Sequence, residues 1–210
     1  MSNKNKEKII FKIITLGNSV VGKTSIIERY LNNVFNDNTI STLGLEFFVK
    51  TIKLKNGKEI NIKLMDTGGQ EKYKAVSVSY LKNAEGVLFV FALNNKDSFN
   101  ELTEWIEMFN NNSLNKKYIA KYIVGNKCDL KDKSIDENLI KEFSDNNGME
   151  YFVTSAKDNI NIEKIFQEMG EILYDNYIKS GRGKNNQMKL VEKSNKKKKN
   201  ECCYINGDID

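Results

Sequence analysis

Apolar positions along the chain fall into two rhythms. Near-continuous apolar runs occupy Ile9–Leu16, Phe47–Leu54, Ile60–Met65, Val87–Leu93, Tyr118–Gly125 and Met149–Thr154. Runs of that length without strict alternation are expected of strands buried on both faces. Between them the apolar residues recur at helical spacing, which predicts helices over Thr24–Leu31, Tyr73–Leu81, Lys96–Phe109, Asp136–Asn146 and Ile162–Lys179. In the last of these, Ile162, Ile165, Phe166, Met169, Ile172 and Leu173 share one stripe. Lys55-Asn56-Gly57-Lys58 is a hairpin turn signal, so the second and third runs pair antiparallel. Elsewhere strand and helix alternate. The expected fold is therefore α/β, a six-stranded, mostly parallel sheet with one antiparallel strand and helices on both faces. Ligands of such sheets bind beyond the carboxyl ends of the strands. From about Ser180 apolar residues become sparse, so three segments are predicted: a flexible N-terminus (1–7), one folded domain (8–178) and a disordered basic tail (179–210).

Composition narrows the chemistry. The 210 residues are 40% hydrophobic, enough for a core, and no stretch reads as a membrane span. Met1–Lys8 is too polar for a signal peptide, and Ser2 stands where myristoylation needs glycine. The expected location is thus cytoplasmic. Cys128 follows an apolar run and is expected to be a small buried side chain, while Cys202 and Cys203 are adjacent in the tail, so no disulfide framework can be drawn. Histidine and proline are absent, which excludes His-based catalysis and His metal sites. Residues 179–210 hold nine Lys or Arg and four Asp or Glu, leaving 24 of each sign in residues 1–178. A neutral folded part with a basic tail, Lys196–Lys199 at its centre, points to a membrane surface and not to nucleic acid.

Four motifs carry the candidate site. Gly17-Asn18-Ser19-Val20-Val21-Gly22-Lys23-Thr24, set between a strand and a helix that begins with Ser25, is a phosphate-binding P-loop. Its glycines let successive N–H groups point at a polyphosphate, and the helix start adds partial positive charge. Lys23 then reaches the β- and γ-phosphates, and Thr24 ligates Mg²⁺. Asp66-Thr67-Gly68-Gly69-Gln70-Glu71 follows the third run on the same side of the sheet; Asp66 suits the hold on Mg²⁺, the Gly69 N–H faces the γ-phosphate, and Gln70 orients an attacking water. Asn126-Lys127-Cys128-Asp129 selects the base: a carboxylate accepts from N1–H and N2–H of guanine and repels adenine, whose N1 is an acceptor. The Lys127 stem can lie over the purine, and Ser155-Ala156-Lys157 offers a backbone N–H to the guanine O6. The expected ligand is GTP or GDP, not ATP.

With these motifs in order, the chain resembles the Ras superfamily of small GTPases, most closely the Rab family, over roughly residues 8–178. Ser19 in the P-loop, Ile40–Phe47 across switch I, Asp66–Tyr73 across switch II and Ser79–Ala84 after it are Rab-like. The resemblance implies that Phe35, twelve residues after Lys23, packs against the base, and that the Thr42 hydroxyl, nineteen after it, completes the Mg²⁺ shell. It implies a slow GTPase switch for vesicle traffic, a monomer served by an exchange factor, a GTPase-activating protein, a GDP dissociation inhibitor and effectors that read the two switches. Reversible attachment to the cytosolic face of an endomembrane would go with this. No arginine of the P-loop or switches serves as an internal finger, since Arg29 lies in the first helix and Lys72 follows Glu71.

Several positions depart from the Rab pattern. Met65 replaces a usual Trp that clusters with the positions of Phe47 and Tyr80, and Leu81 replaces a usual Tyr, so an atypical effector surface is expected. Gly68 replaces Ala and loosens the backbone there by about 0.5–1 kcal/mol. Cys202-Cys203 beside the lysines resembles a double prenylation site, yet Tyr204–Asp210 follow it. Either the modifying enzyme accepts seven extra residues, or they are trimmed, or the anchor is electrostatic alone. A GTP-dependent recruitment scaffold with negligible hydrolysis, and a Ras-like signalling GTPase outside the Rab family, are the alternatives.

Overall fold

The computed structural model describes residues 9–37, 45–67, 80–114 and 118–182. Contacts divide the chain into two units, 1–173 and 174–210. In the first unit, six strands form one sheet: β1 (Ile10–Leu16), β2 (Leu45–Lys53), β3 (Glu59–Thr67), β4 (Gly86–Ala92), β5 (Ala120–Asn126) and β6 (Glu150–Val153). Their order across the sheet is β2-β3-β1-β4-β5-β6, antiparallel between β2 and β3 and parallel elsewhere. The hairpin is closed by Gly57 at φ +79, whose N–H donates to Leu54 O, and the Leu54 N–H donates to Lys58 O. The described helices are α1 (Lys23–Asn32), α2 (Lys96–Asn100), α3 (Leu102–Asn112), α4 (Glu137–Asn146) and α5 (Ile162–Lys179), which runs on into the second unit. Of that second unit only 174–182 is described, and there the rings of Tyr174 and Tyr177 stack with centroids 6.3 Å apart.

Alternation along the strands assigns the two faces. Ile14, Leu16, Met65, Val87, Phe89 and Phe91 pack in one core with Leu102, Trp105, Ile106 and Phe109 of α3 and Ile140 of α4. On the other face Ile13 and Met169 of α5 close over Gly86, where an added methyl would lie 2.8 Å from the Met169 sulfur. Tyr30 of α1 stacks on Phe166 of α5 at 4.0 Å. Strand β4, in the middle, is buried along its whole length, as a Gly-Val-Leu-Phe-Val-Phe-Ala run covered on both sides must be.

Three sequence expectations are corrected here. The helix expected over Lys96–Phe109 is two, α2 and α3, separated at Glu101, whose N–H donates to Asp97 O and Phe99 O. No glycine or proline marks that break. Strand β3 continues through Asp66 and Thr67, which pair with Glu46 and Leu45, and β5 ends on Asn126; both motifs therefore begin on rigid strand and not in loop. Cys128 is half-buried, not buried, and partial desolvation raises its thiol pKa. Met65 is in the core with Leu81, while its cross-strand partner Phe47 is exposed beneath the Lys63 ammonium, 4.1 Å from the ring centroid.

Candidate functional site

Strand β1 delivers the chain into the glycine loop under tight steric control. Gly17 has φ +142, and a Cβ there would sit 2.0 Å from the Val90 carbonyl oxygen of the neighbouring strand. Gly22, at φ +95, is the left-handed residue that starts α1; its Cβ would lie 2.3 Å from Asn126 Nδ2. The start of α1 carries no side-chain cap hydrogen bond and no acidic residue in its first turn, an arrangement that suits an anion.

Lys23 is 4% exposed, and its ammonium donates to Gly17 O at 2.9 Å and Asn18 O at 2.7 Å. Burial pushes its pKa down to about 8, against the attraction of Asp66. Asn18 is itself clamped by α3: it donates to Glu101 Oε2 at 2.8 Å and accepts from the Trp105 indole N–H at 2.7 Å. Beside the lysine, the Thr24 hydroxyl donates to Asp66 Oδ2 at 2.6 Å, and the Thr15 hydroxyl reaches Asp66 Oδ1 at 3.4 Å. Asp66 has no exposed surface. A buried carboxylate joined to a threonine hydroxyl is a set of hard oxygen donors, the chemistry that suits Mg²⁺.

The opposite end is organised around Asn126, 1% exposed. Its amide N–H donates to Val21 O at 3.0 Å, and its amide oxygen accepts from the Ala156 N–H at 3.2 Å and the Thr154 hydroxyl at 3.3 Å. One side chain thereby joins the phosphate loop to the Ser155–Lys157 loop. The Ser155 hydroxyl donates to Asp129 Oδ1 at 2.6 Å and accepts from the Asp158 N–H at 2.9 Å, which fixes the carboxylate. Lys127 takes φ +67, and burial lowers its pKa while Asp129 raises it.

A cavity of about 280 Å³ runs between the two ends. Ser19, Val20, Gly22, Lys23, Thr24 and Ser25 line the phosphate end, and Phe35, Asn126, Lys127, Asp129, Ala156 and Lys157 line the base end. Val21, Asp66 and Ser155 are buried and stand behind that wall, the first through its carbonyl and the other two through the bonds just given. Thr42, Gly69 and Gln70, with Gly68, lie outside the described residues, as do Cys202 and Cys203.

Sequence reasoning missed three participants, Thr15, Trp105 and Arg29, and gave the Asn18 side chain of the P-loop no role. Thr15 and Trp105 look like ordinary strand and helix residues, and only the pairing of β1 with β3 and the packing of α3 bring them to the site. Arg29, in the last turn of α1, donates from Nε to Ala156 O at 2.7 Å and from Nη2 to Lys157 O at 2.9 Å. Nothing in the spacing between residues 29 and 156 signals that contact.

A glycine loop leading from the first strand of a parallel sheet into a buried lysine, with an Asn-Lys-Cys-Asp loop and a Ser-Ala-Lys loop at the far end of the same cavity, defines a guanine-nucleotide-binding P-loop domain. A profile described as "Ras family" matches residues 12–175. The chain is 34% identical over 172 residues to Ras-related protein Rab-3 of Caenorhabditis elegans, covering 81% of this chain and 77% of that one. It is 35% identical to Ras-related protein Rab-3A of Homo sapiens, with the same coverage. To GTP-binding protein YPT1 of Saccharomyces cerevisiae it is 36% identical over 161 residues, 76% of this chain and 77% of that one. The chain belongs to the Ras superfamily of small GTPases and, within it, to the Rab family.

Proposed function

We propose that this Rab GTPase, which hydrolyses GTP to GDP in the service of vesicle transport, holds its nucleotide with the phosphates on Gly17–Ser25 and the guanine between Phe35, Lys127, Asp129 and the Ser155–Lys157 loop. The observation that carries the reading is Asn126, whose amide bonds Val21 of the phosphate loop and Ala156 of the base loop. Those two hydrogen bonds tie the two loops together, as a single site across both would require. In competition binding, GDP is expected to displace bound guanine nucleotide at concentrations at least a hundredfold below ADP; equal potency would overturn the reading.

At the phosphate end, Lys23 offsets charge that grows on the β–γ bridge, and Gln70 orients the attacking water. Thr24 and Asp66, with Thr42, would hold Mg²⁺, which when bound supplies positive charge to the β- and γ-phosphate oxygens. With no arginine in the P-loop or switches, acceleration falls to a GTPase-activating protein. Exchange factor, GDP dissociation inhibitor and effectors read switches I and II, and the exposed Phe47 and the buried Met65 at the edge of that surface give it an unusual relief.

No described helix is long and apolar enough to cross a membrane. We place the protein on the cytosolic face of an endomembrane, attached reversibly through the basic tail and lipid on Cys202 and Cys203, since two lipids with basic charge give stable anchoring where one does not. Mass spectrometry of the protein from its own cells is expected to show both thiols prenylated; unmodified thiols on membrane-bound protein would leave the electrostatic anchor.

A further inference from the structure

The guanidinium of Arg29 spans three carbonyls. Besides Ala156 O and Lys157 O, its Nη1 donates to Asn33 O at 2.8 Å and Asn33 Oδ1 at 3.2 Å. Asn33 is the left-handed residue that ends α1, and its own N–H returns to Arg29 O at 3.0 Å. Arg29 is thus anchored to the end of one helix while two of its nitrogens grip consecutive peptide groups of the loop after β6. Only a planar fork can make both contacts at once.

Those two peptide groups lead to both edges of the base. Peptide units are planar and here trans, so a carbonyl fixed on one side aims the N–H of the same unit the opposite way. The carbonyl of Ala156 shares its unit with the Lys157 N–H, which Arg29 therefore turns away from its own guanidinium, on a residue that lines the cavity. The carbonyl of Lys157 shares its unit with the Asp158 N–H, which donates to Ser155 Oγ, whose hydroxyl in turn donates to Asp129 Oδ1. A continuous chain of bonds runs from the helix to the carboxylate that reads the purine.

We infer that Arg29 is the positioning residue for guanine selectivity, aligning through one peptide unit the N–H that meets O6 and through the next the carboxylate that meets N1–H and N2–H. The inference rests on the nucleotide orientation proposed above. It differs from a helix-capping role, which the position of a cation in the last turn of α1 would also provide, in what it does to discrimination. A cap loosens α1 and with it the phosphate loop, weakening every diphosphate equally; an aligner of the base loop weakens only nucleotides that use O6 and Asp129.

The test is the dissociation constant of full-length wild type, Arg29→Ala and Arg29→Lys for GDP and for ADP. Arg29→Lys keeps the stem and the charge but cannot fork, and it decides the matter should Arg29→Ala fail to fold. Both variants are expected to lose about tenfold in GDP affinity while ADP affinity stays within twofold, so that the GDP-to-ADP ratio falls about tenfold. Equal loss for both nucleotides, or unchanged GDP affinity, would overturn the inference. A wild type that does not distinguish GDP from ADP would instead sink the orientation on which it rests, a result separable from either.

Discussion

Asp129→Asn is expected to weaken GDP binding by roughly 10²- to 10⁴-fold. Two hydrogen bonds from the guanine edge to a charged acceptor are worth about 1.5–3 kcal/mol each, about 3–6 kcal/mol together. The substitution removes the charge and does more. The Ser155 hydroxyl donates to Oδ1 at 2.6 Å, so the asparagine carbonyl must take that place, leaving its NH₂ where Oδ2 stood. A donor then faces the N2 amino group of guanine, itself a donor. Xanthine carries a carbonyl at C2, and xanthosine diphosphate should gain on GDP in the same protein by a comparable factor. Isothermal titration of both nucleotides into wild type and variant measures this. A GDP loss below tenfold would mean that Asp129 does not meet the base.

Gln70→Leu is expected to slow single-turnover GTP hydrolysis by roughly a hundredfold, since misplacing a reacting water by about 1 Å costs that much, and to leave GDP affinity within a few-fold of wild type. Leucine matches the volume of glutamine and can neither donate nor accept. Asp66 is pinned by Thr24 and Thr15 at the end of β3, and Gln70 follows four residues later in the sequence, within roughly 13 Å of extended chain. Rapid mixing with quantification of released phosphate separates the rate from the affinity; equal rates in variant and wild type would remove Gln70 from the reaction.

How much of this was legible in the sequence differs from element to element. Strand β4 was plain because an unbroken Gly86–Ala92 apolar run has no amphipathic alternative at that length. The hairpin was plain because Asn56-Gly57 specifies a left-handed turn. The P-loop and the Asn126–Asp129 segment were legible as local motifs whose chemistry sits in consecutive residues. What connects them was not. Trp105 with Asn18, Thr15 with Asp66 and Arg29 with Ala156 are separated by 87, 51 and 127 positions, and a side chain that acts on a residue so distant in the chain leaves no periodicity behind. The break at Glu101 escaped for a related reason: no breaker residue announces it.

Gly22 lies against the amide of Asn126. A group bonded to both the glycine loop and the Ser155–Lys157 loop would be a strut common to both halves of the proposed nucleotide. Trimming the Asn126 amide would slacken the loop under the polyphosphate as well as the floor under the base, so a fall in affinity after such a change measures the brace and not one contact. The carboxylate at position 129, which bears on a single rim, is where recognition of the base can be altered in isolation.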